Sequence, residues 1–96
     1  DFEQVSSLPT TFSLSQNYPN PFNQTTTIVF ALPRRSQVNM TLYNILGQTV
    51  ATLVDEELSA GEYEVTLNGN DLSSGVYFYR MIAGEFVQGK KLVLLK

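Results

Sequence analysis

Apolar and polar residues alternate with a period of two along most of the chain after residue 24, a pattern typical of half-buried β-strands. The alternation predicts strands in "TTTIVFAL", "QVNMTLYN", "GQTVATLV", "EYEVTL", "GVYFYRMI" and "FVQGKKLVLL". In "GQTVATLV" the apolar phase slips by one between Val50 and Leu53, which predicts a β-bulge. The residues predicted to face the core are Ile28, Phe30, Leu32, Val38, Met40, Leu42, Tyr63, Val65 and Leu67.

Turn residues separate these strands at intervals of roughly ten residues. Asn44 suits the first position of a type I turn and Gly47 the left-handed residue after it, so "YNILGQ" predicts a bulged hairpin. Ala83 and Gly84 predict a tight hairpin between the last two strands. Because no segment keeps a helical period, we expect an all-β protein, an antiparallel immunoglobulin-like β-sandwich of about seven strands.

Two stretches near the start show no period. We interpret the first, "DFEQVSSLPTTF" at residues 1–12, as a linker between an upstream domain and a sandwich formed by residues 13–96. The second is "QNYPNPFNQ", where proline restricts both its own backbone and that of the preceding residue, so no helix is expected before residue 24. The chain opens on Asp1 rather than Met, as expected of a piece of a longer protein.

A short internal repeat opens two of the predicted strands: "LSAGEY" at 58–63 and "LSSGVY" at 72–77. Gly61 and Gly75 permit a bend, and Tyr63 and Tyr77 follow two residues later. Each tyrosine is placed to bury its ring while its hydroxyl bonds to the backbone upstream, as in the tyrosine corner of immunoglobulin-like sandwiches. We interpret the repeat as structural, and the alternative is a duplicated ligand pocket.

The charge distribution is uneven. The net charge is −3 and the isoelectric point is near 4.6, so nucleic acid is not an expected partner, because phosphate binding needs a field of Lys and Arg. The last seven residues, "KKLVLLK", hold three of the six positive charges. Both faces of this strand are apolar, whereas a strand with one wet face alternates. Either its second face is covered, or it offers an edge and an apolar side to a partner.

Catalytic side chains are scarce. The chain has no cysteine and no histidine, which excludes disulfides, thiolate metal sites and the usual general base near neutral pH. The adjacent carboxylates of "DEE" at 55–57 point apart in a strand or turn, so we expect no enzymatic activity and no cofactor. No apolar run approaches the ~18 residues of a membrane span, and no positively charged leader opens the chain.

The segment "NGND" offers a weak candidate calcium site through Asn68, Asn70 and Asp71, although the later bidentate glutamate of a calcium loop is missing. We favour a turn in which Asn68 and Gly69 accept positive φ and Asp71 caps the next bend. Calcium binding is the alternative.

Four aromatic residues are candidates for stacking on a carbohydrate, and each suits packing equally well: Tyr18, Phe22, Tyr43 and Phe78. Phe22, in "PNPF", is interpreted as a plug that seals one end of the sandwich. The alternative is a docking element, because rigid proline-containing segments lose little entropy on binding.

Together, "LSQNYPNPFNQTTTIVFALP", "VNMTLYNILGQTVATLV", "SAGEYEVTLNGNDLSSGVYFYRMIAG" and "GKKLVLLK" resemble the type A C-terminal sorting domain of the type IX (Por) secretion system of Bacteroidetes and related bacteria. The resemblance runs in order through residues 13–96. The family motifs fall on Pro19, Asn20, Pro21, Phe22, Asn23, Tyr43, Gly47, Gly61, Tyr63, Gly75 and Tyr77, and on the final strand at Lys90, Lys91, Leu92, Val93, Leu94, Leu95 and Lys96.

The resemblance implies a module carried at the end of an exported cargo protein. It implies that the translocon or its outer-membrane shuttle proteins recognise residues 90–96 and pass the cargo from the periplasm across the outer membrane. It also implies that a sortase-like cell-surface peptidase then removes the domain, with residues 1–12 as the expected region of cleavage, and that the cargo is secreted or held at the cell surface. The alternatives are a non-catalytic interaction or carbohydrate-binding module of a secreted hydrolase, and a dimer formed through the edge of the final strand.

Overall fold

Seven β-strands form the fold in a computed structural model that describes residues 8–96. The strands are β1 (Ser13–Leu14), β2 (Thr25–Leu32), β3 (Ser36–Asn44), β4 (Thr49–Leu58), β5 (Gly61–Asn68), β6 (Gly75–Ala83) and β7 (Phe86–Leu94). Over the described range there is no helix long and apolar enough to cross a membrane. Residues 1–7, which make up most of the predicted linker, lie outside the described residues.

The strands form two antiparallel sheets, with the order β1-β2-β5 in one and β4-β3-β6-β7 in the other. In the four-stranded sheet β3 and β6 are central, while β4 and β7 are the edges. Strands that are distant in sequence become neighbours, as β2 pairs with β5 and β3 with β6. This two-sheet arrangement of seven strands confirms the predicted immunoglobulin-like sandwich.

Side chains from both sheets meet in one core. Alternate residues of each strand enter it, because successive side chains of a β-strand point to opposite faces. Burial of each large apolar side chain stabilises the fold by about 1.5–3 kcal/mol. The predicted inward faces of β2 and β3 are confirmed, and on the edge strand β5 only Leu67 is fully enclosed. The completely buried apolar side chains include Ile28, Leu32, Val38, Met40, Leu42, Tyr79, Met81, Leu92 and Leu94.

The predicted phase slip in β4 is confirmed as two irregularities of register. Met40 pairs with Val54 but Thr41 pairs with Thr52, so Leu53 is an extra residue on β4. A second shift follows between Leu42 and Tyr43, and it leaves Val50 unpaired. Each extra residue bends the strand and increases its twist.

The β3–β4 hairpin is the bulged turn that the sequence predicts. Gly47 has a φ of +83°, and its N–H donates to the Asn44 carbonyl at 2.9 Å. The Asn44 N–H in turn donates to the Gln48 carbonyl at 2.9 Å. Only glycine adopts such a left-handed conformation without a steric cost.

The predicted β6–β7 hairpin is shifted by one residue. Ala83 pairs with Phe86, so the two turn residues are Gly84 and Glu85 rather than Ala83 and Gly84. Ala83 is fully buried, and its place in the core extends β6 to that position. Gly84 has the positive φ, +60°.

Both tyrosine corners are confirmed. The Tyr63 hydroxyl donates to the Ser59 carbonyl at 2.7 Å, and the Tyr77 hydroxyl donates to the Ser73 carbonyl at 2.7 Å. Gly61 and Gly75 open β5 and β6 with φ of +151° and +153°. The two halves of the repeat therefore build the same local structure.

Candidate recognition surface at the C-terminus

Four of the motifs meet at one end of the sandwich. The register places Gly75, at the start of β6, opposite Leu94, at the end of β7. The "PNPF" segment lies along the edge of β7 that does not pair with β6. Gly69 of the "NGND" turn lies close to the side chains of Phe22 and Leu94. We call this assembly, formed by residues 20–22, 69–74 and 90–96, the C-terminal surface.

The two apolar faces of the final strand differ in burial. Leu92 and Leu94 are completely buried and belong to the core. Val93 lies on the opposite face and is half-buried, while Leu95, beyond the end of β7, is 55% exposed. Part of the second face is thus covered, and the apolar side chain that reaches solvent most fully is Leu95.

The lysines of this segment differ as well. Lys91 and Lys96 are exposed, and Lys90 is half-buried. The Lys96 N–H donates to the Ser74 hydroxyl at 2.9 Å, and its ammonium group donates to the Asn70 carbonyl at 2.8 Å. Lys96 is therefore held against the β5–β6 connection while its charge stays at the surface.

The "PNPF" segment acts as a short extra strand on the outer edge of β7. Phe22 forms a parallel bridge with Leu94: its N–H donates to the Val93 carbonyl at 3.0 Å, and its carbonyl accepts from the Leu95 N–H at 2.8 Å. The side-chain oxygen of Asn20 accepts from the Val93 N–H at 3.0 Å. The backbone around Val93 is thus already paired, so the predicted pairing of this strand with a second copy has no open edge at that point.

Phe22 itself is only 3% exposed and is part of the core. This burial confirms the interpretation of Phe22 as a plug. Its ring is not accessible for stacking on a carbohydrate or for docking to a partner. The peptide bonds before Pro19 and Pro21 are both cis. Tyr18, in the same segment, is 81% exposed.

A buried polar network fixes the segment that precedes "PNPF". Asn17 is 2% exposed, and its side-chain amide donates to the Thr26 hydroxyl at 3.0 Å and to the Pro19 carbonyl at 3.1 Å. The Tyr79 hydroxyl accepts from the Asn17 N–H at 2.9 Å and donates to the Ser15 carbonyl at 2.6 Å. Buried polar groups must be paired to be tolerated, and this network pairs them.

Burial raises the pKa of the Tyr79 hydroxyl to about 12, and the hydrogen bond from the Asn17 backbone opposes the shift only in part. At neutral pH this hydroxyl is protonated, as that of any tyrosine with an ordinary pKa is, and it serves as both donor and acceptor. Tyr79 thereby links β6 to the segment that carries the plug.

Gly69 is required by a close approach and not by its φ angle. A Cβ at this position would lie 3.0 Å from both the Leu94 Cδ1 and the Phe22 Cε2 atoms. The prediction that Asn68 and Gly69 adopt positive φ is wrong: within residues 8–96, the positive φ angles belong to Gly47, Gly61, Gly75 and Gly84. The glycine is there because the plug and the final strand fill the space that a side chain would need.

The "NGND" segment is a turn, as favoured from the sequence. The Leu72 N–H donates to the Gly69 carbonyl at 3.0 Å, and the Asn68 side-chain oxygen accepts from the Asn70 N–H at 2.9 Å. Part of the donor set of the candidate calcium site is thus engaged within the turn. Residues 8–96 contain no cluster of three or more acidic, histidine or cysteine side chains able to hold a metal ion.

Comparison with known proteins places the chain in a family. A family model described as the secretion system C-terminal sorting domain matches residues 16–95. The chain belongs to this family, the C-terminal sorting domains of the type IX secretion system. Membership implies an attached upstream cargo, interaction with the secretion machinery, and secretion of the cargo across the outer membrane to the cell surface or beyond. Such sorting-signal domains are generally non-catalytic.

A search of curated proteins gave no match. Among solved structures, the sorting domain is similar to the Ig1 domain of mouse SynCAM 2, with 16% sequence identity and a TM-score of 0.43. That similarity covers 78% of this chain and 87% of the other.

The other candidate residues of the sorting domain are spread over the rest of the fold. Tyr43 and Phe78 are neighbours on the outer face of the four-stranded sheet, with Phe78 41% exposed, while Tyr18 lies on a different segment. The stacking candidates are therefore not gathered in one site. Gly61 and Tyr63 build the corner at the start of β5, where Gly61 pairs with Leu32 at the end of β2.

Sequence reasoning missed three residues that organise this surface: Asn17, Thr26 and Gly69. Asn17 and Thr26 look like solvent-facing polar residues in the sequence, because their partners come from elsewhere in the fold. The sequence predicts a turn at Gly69, but the residues around it do not indicate which distant side chains pack against this position. One available signal was the position of Thr26, which lies two residues before Ile28 and so continues the inward-facing row of Ile28, Phe30 and Leu32.

Proposed function

We propose that this sorting domain directs an attached cargo protein from the periplasm through the type IX outer-membrane translocon, and that it acts by being recognised, with no chemistry of its own. The observation that carries the proposal is the anchoring of the C-terminal surface. Residues 93–96 are held by backbone and side-chain hydrogen bonds from Asn20, Phe22, Asn70 and Ser74. A signal fixed in this way loses little conformational entropy when a receptor binds it.

The proposal divides residues 90–96 into two groups. Leu92 and Leu94 hold the strand in the core. Lys91, Leu95 and Lys96 present two positive charges and one apolar side chain to solvent. We assign recognition by the translocon, or by its outer-membrane shuttle proteins, to these exposed groups.

The proposal extends to the steps after export. A sortase-like cell-surface peptidase removes the domain, with residues 1–12 as the proposed region of cleavage between cargo and sandwich. The cargo then stays at the cell surface or is released. This places the domain, with its cargo, in the periplasm and outer membrane before its removal.

The test is export of a fluorescent cargo fused to residues 1–96 in a bacterium with a type IX system. Lys91→Glu and Lys96→Glu, combined with Leu95→Ser, should abolish surface fluorescence, while the fold is preserved because exposed charges contribute little to stability. The matched control is Arg35→Glu, an exposed cation on the β3–β4 side that pairs with Glu57. Full export of the triple variant, with folding verified by its thermal midpoint, would contradict the proposal.

A further inference from the structure

An open groove crosses the outer face of the four-stranded sheet, and it meets the C-terminal surface at Lys90 and Lys91. Tyr43, Phe78 and Lys91 lie directly opposite one another across β3, β6 and β7, and Arg80 lies opposite Gly89 in the next row. Opposite residues of antiparallel strands share a face of the sheet. The rows therefore combine two aromatic rings and two cationic side chains on one surface.

The volume of this open groove is about 720 Å³. Gly89 contributes no side chain, so the floor stays open beside Arg80. Ile45, at the tip of the β3–β4 hairpin and 70% exposed, extends the apolar wall. Phe78, 41% exposed, forms its centre.

The charges of the groove are uncompensated. Arg80, Lys90 and Lys91 all line it, and none of them forms an ion pair within residues 8–96, where the ion pair present joins Arg35 to Glu57. The Arg80 guanidinium instead lies 5.4 Å from the Tyr43 ring centre and donates to the Tyr43 hydroxyl at 3.1 Å. Two of these cations, Arg80 and Lys91, share the outer face of the sheet, and on a chain of net charge −3 they favour an anionic occupant.

We propose that this groove binds an acidic peptide segment of a partner protein, in which carboxylates alternate with apolar side chains. The carboxylates would pair with Arg80 and Lys91, and an apolar side chain would cover Phe78 and Ile45. The inference is argued from the groove and not from the proposed role in export. Both proposals use Lys91, whereas Arg80 belongs to the groove alone, so its variant separates the two.

A peptide fits this groove better than a sugar does. Sugar stacking needs the face of an aromatic ring, and one face of Tyr43 is already occupied by Arg80. The exposed apolar surface of Ile45 and Phe78 suits aliphatic side chains, whose burial is favourable in proportion to the apolar area removed from water. An acidic sugar is the competing outcome of the test below.

The test is a titration of the 96-residue chain followed by ¹H–¹⁵N NMR, with the blocked pentapeptide ELELE as the probe. Shifts should be confined to the amides that line the groove. Affinity should exceed that for the neutral peptide QLQLQ by about threefold or more, since exposed charge pairs contribute about 0.2–1 kcal/mol each. It should fall as the salt concentration rises, because screening acts on exposed charges.

Variants locate the site. Lys91→Gln and Arg80→Gln should each weaken ELELE binding, while Arg34→Gln should not, although Arg34 also lies over an aromatic ring, that of Phe12. Gly89→Val fills the floor without changing any charge, and its Cβ would lie 3.4 Å from the Tyr79 carbonyl oxygen, at the short end of ordinary van der Waals contact. It should abolish binding while the spectrum stays dispersed.

Three results would overturn the proposal: equal affinity for ELELE and QLQLQ, shifts centred outside the groove, or tighter binding of trigalacturonic acid than of ELELE. The last would assign the groove to an acidic carbohydrate.

Discussion

The backbone of Phe22 pairs with that of Leu94, and this bridge seats the "PNPF" segment on the edge of the final strand. The contact joins parts of the chain far apart in sequence, since the neighbouring bond between Asn20 and Val93 spans 73 residues. One aromatic side chain thus closes the sandwich while its backbone fixes the strand proposed to be the export signal.

Phe22→Ala is expected to destabilise the domain by about 3–5 kcal/mol, because it removes a buried ring and leaves a cavity beside Leu94 and Gly69. Denaturant unfolding followed by intrinsic fluorescence would measure the loss. The control is Tyr18→Ala in the same segment, whose side chain is 81% exposed and whose replacement should change stability by no more than about 0.5 kcal/mol. Equal effects of the two variants would contradict the buried plug.

Gly69→Ala should cost about 1–3 kcal/mol, because the added methyl group overpacks the space between Phe22 and Leu94. Combining it with Leu94→Ala, which makes room, should give a loss smaller than the sum of the two single losses. The measurement is a double-mutant cycle of unfolding free energies. Additive losses would show that the two sites do not meet.

Asn20→Ala should speed hydrogen exchange of the Val93 amide, because the variant removes the side-chain acceptor of that N–H. The lost bond corresponds to about 0.5–1.5 kcal/mol. Asn20→Asp keeps an acceptor oxygen at the same place and serves as the matched variant with near-normal exchange. Unchanged exchange in the alanine variant would mean that this bond does not protect the strand.

Stability should fall as the pH rises from about 10 to about 12, because Tyr79 keeps its proton in the folded state up to a pKa of about 12, whereas the unfolded chain releases it near 10. Over that window the folded state binds more protons, so the free energy of unfolding decreases with pH, in all by about 2–3 kcal/mol. The contribution is fully present below pH 10.

Tyr79→Phe isolates this effect from the titration of the other tyrosines and the lysines. The variant should be less stable at neutral pH by about 1–3 kcal/mol, since it leaves the Asn17 N–H and the Ser15 carbonyl without their partner. Its stability should also decline less steeply than that of the unchanged protein between pH 10 and 12, measured by unfolding at a series of pH values. Parallel declines would contradict the assignment to Tyr79.

Local patterns were sufficient to predict much of the fold. The alternation in β2 and β3, the Asn44–Gly47 turn and both tyrosine corners depend on residues close in sequence, and the structure has each of them. The one-residue error at the β6–β7 hairpin arose because Ala83 suits a turn as well as a buried strand end, and core packing decides between them.

Contacts between distant segments could not be predicted in the same way. Nothing in "QNYPNPFNQ" indicates that Asn20 accepts from Val93 or that the Asn17 N–H donates to the Tyr79 hydroxyl, because both arrangements arise only when the two sheets have packed. Gly69 shows the same limit. This position excludes any side chain because Phe22 and Leu94, from two other parts of the chain, fill the space beside it.

The far edge of the four-stranded sheet, β4, bears on whether copies of the domain aggregate. Its two extra residues, Val50 and Leu53, interrupt the regular spacing of its outward N–H and C=O groups, and the exposed run Asp55, Glu56 and Glu57 adds like charges along it. A bent, negatively charged edge is a poor template for amyloid-like stacking. Crowded copies of the domain should therefore resist aggregation through this strand.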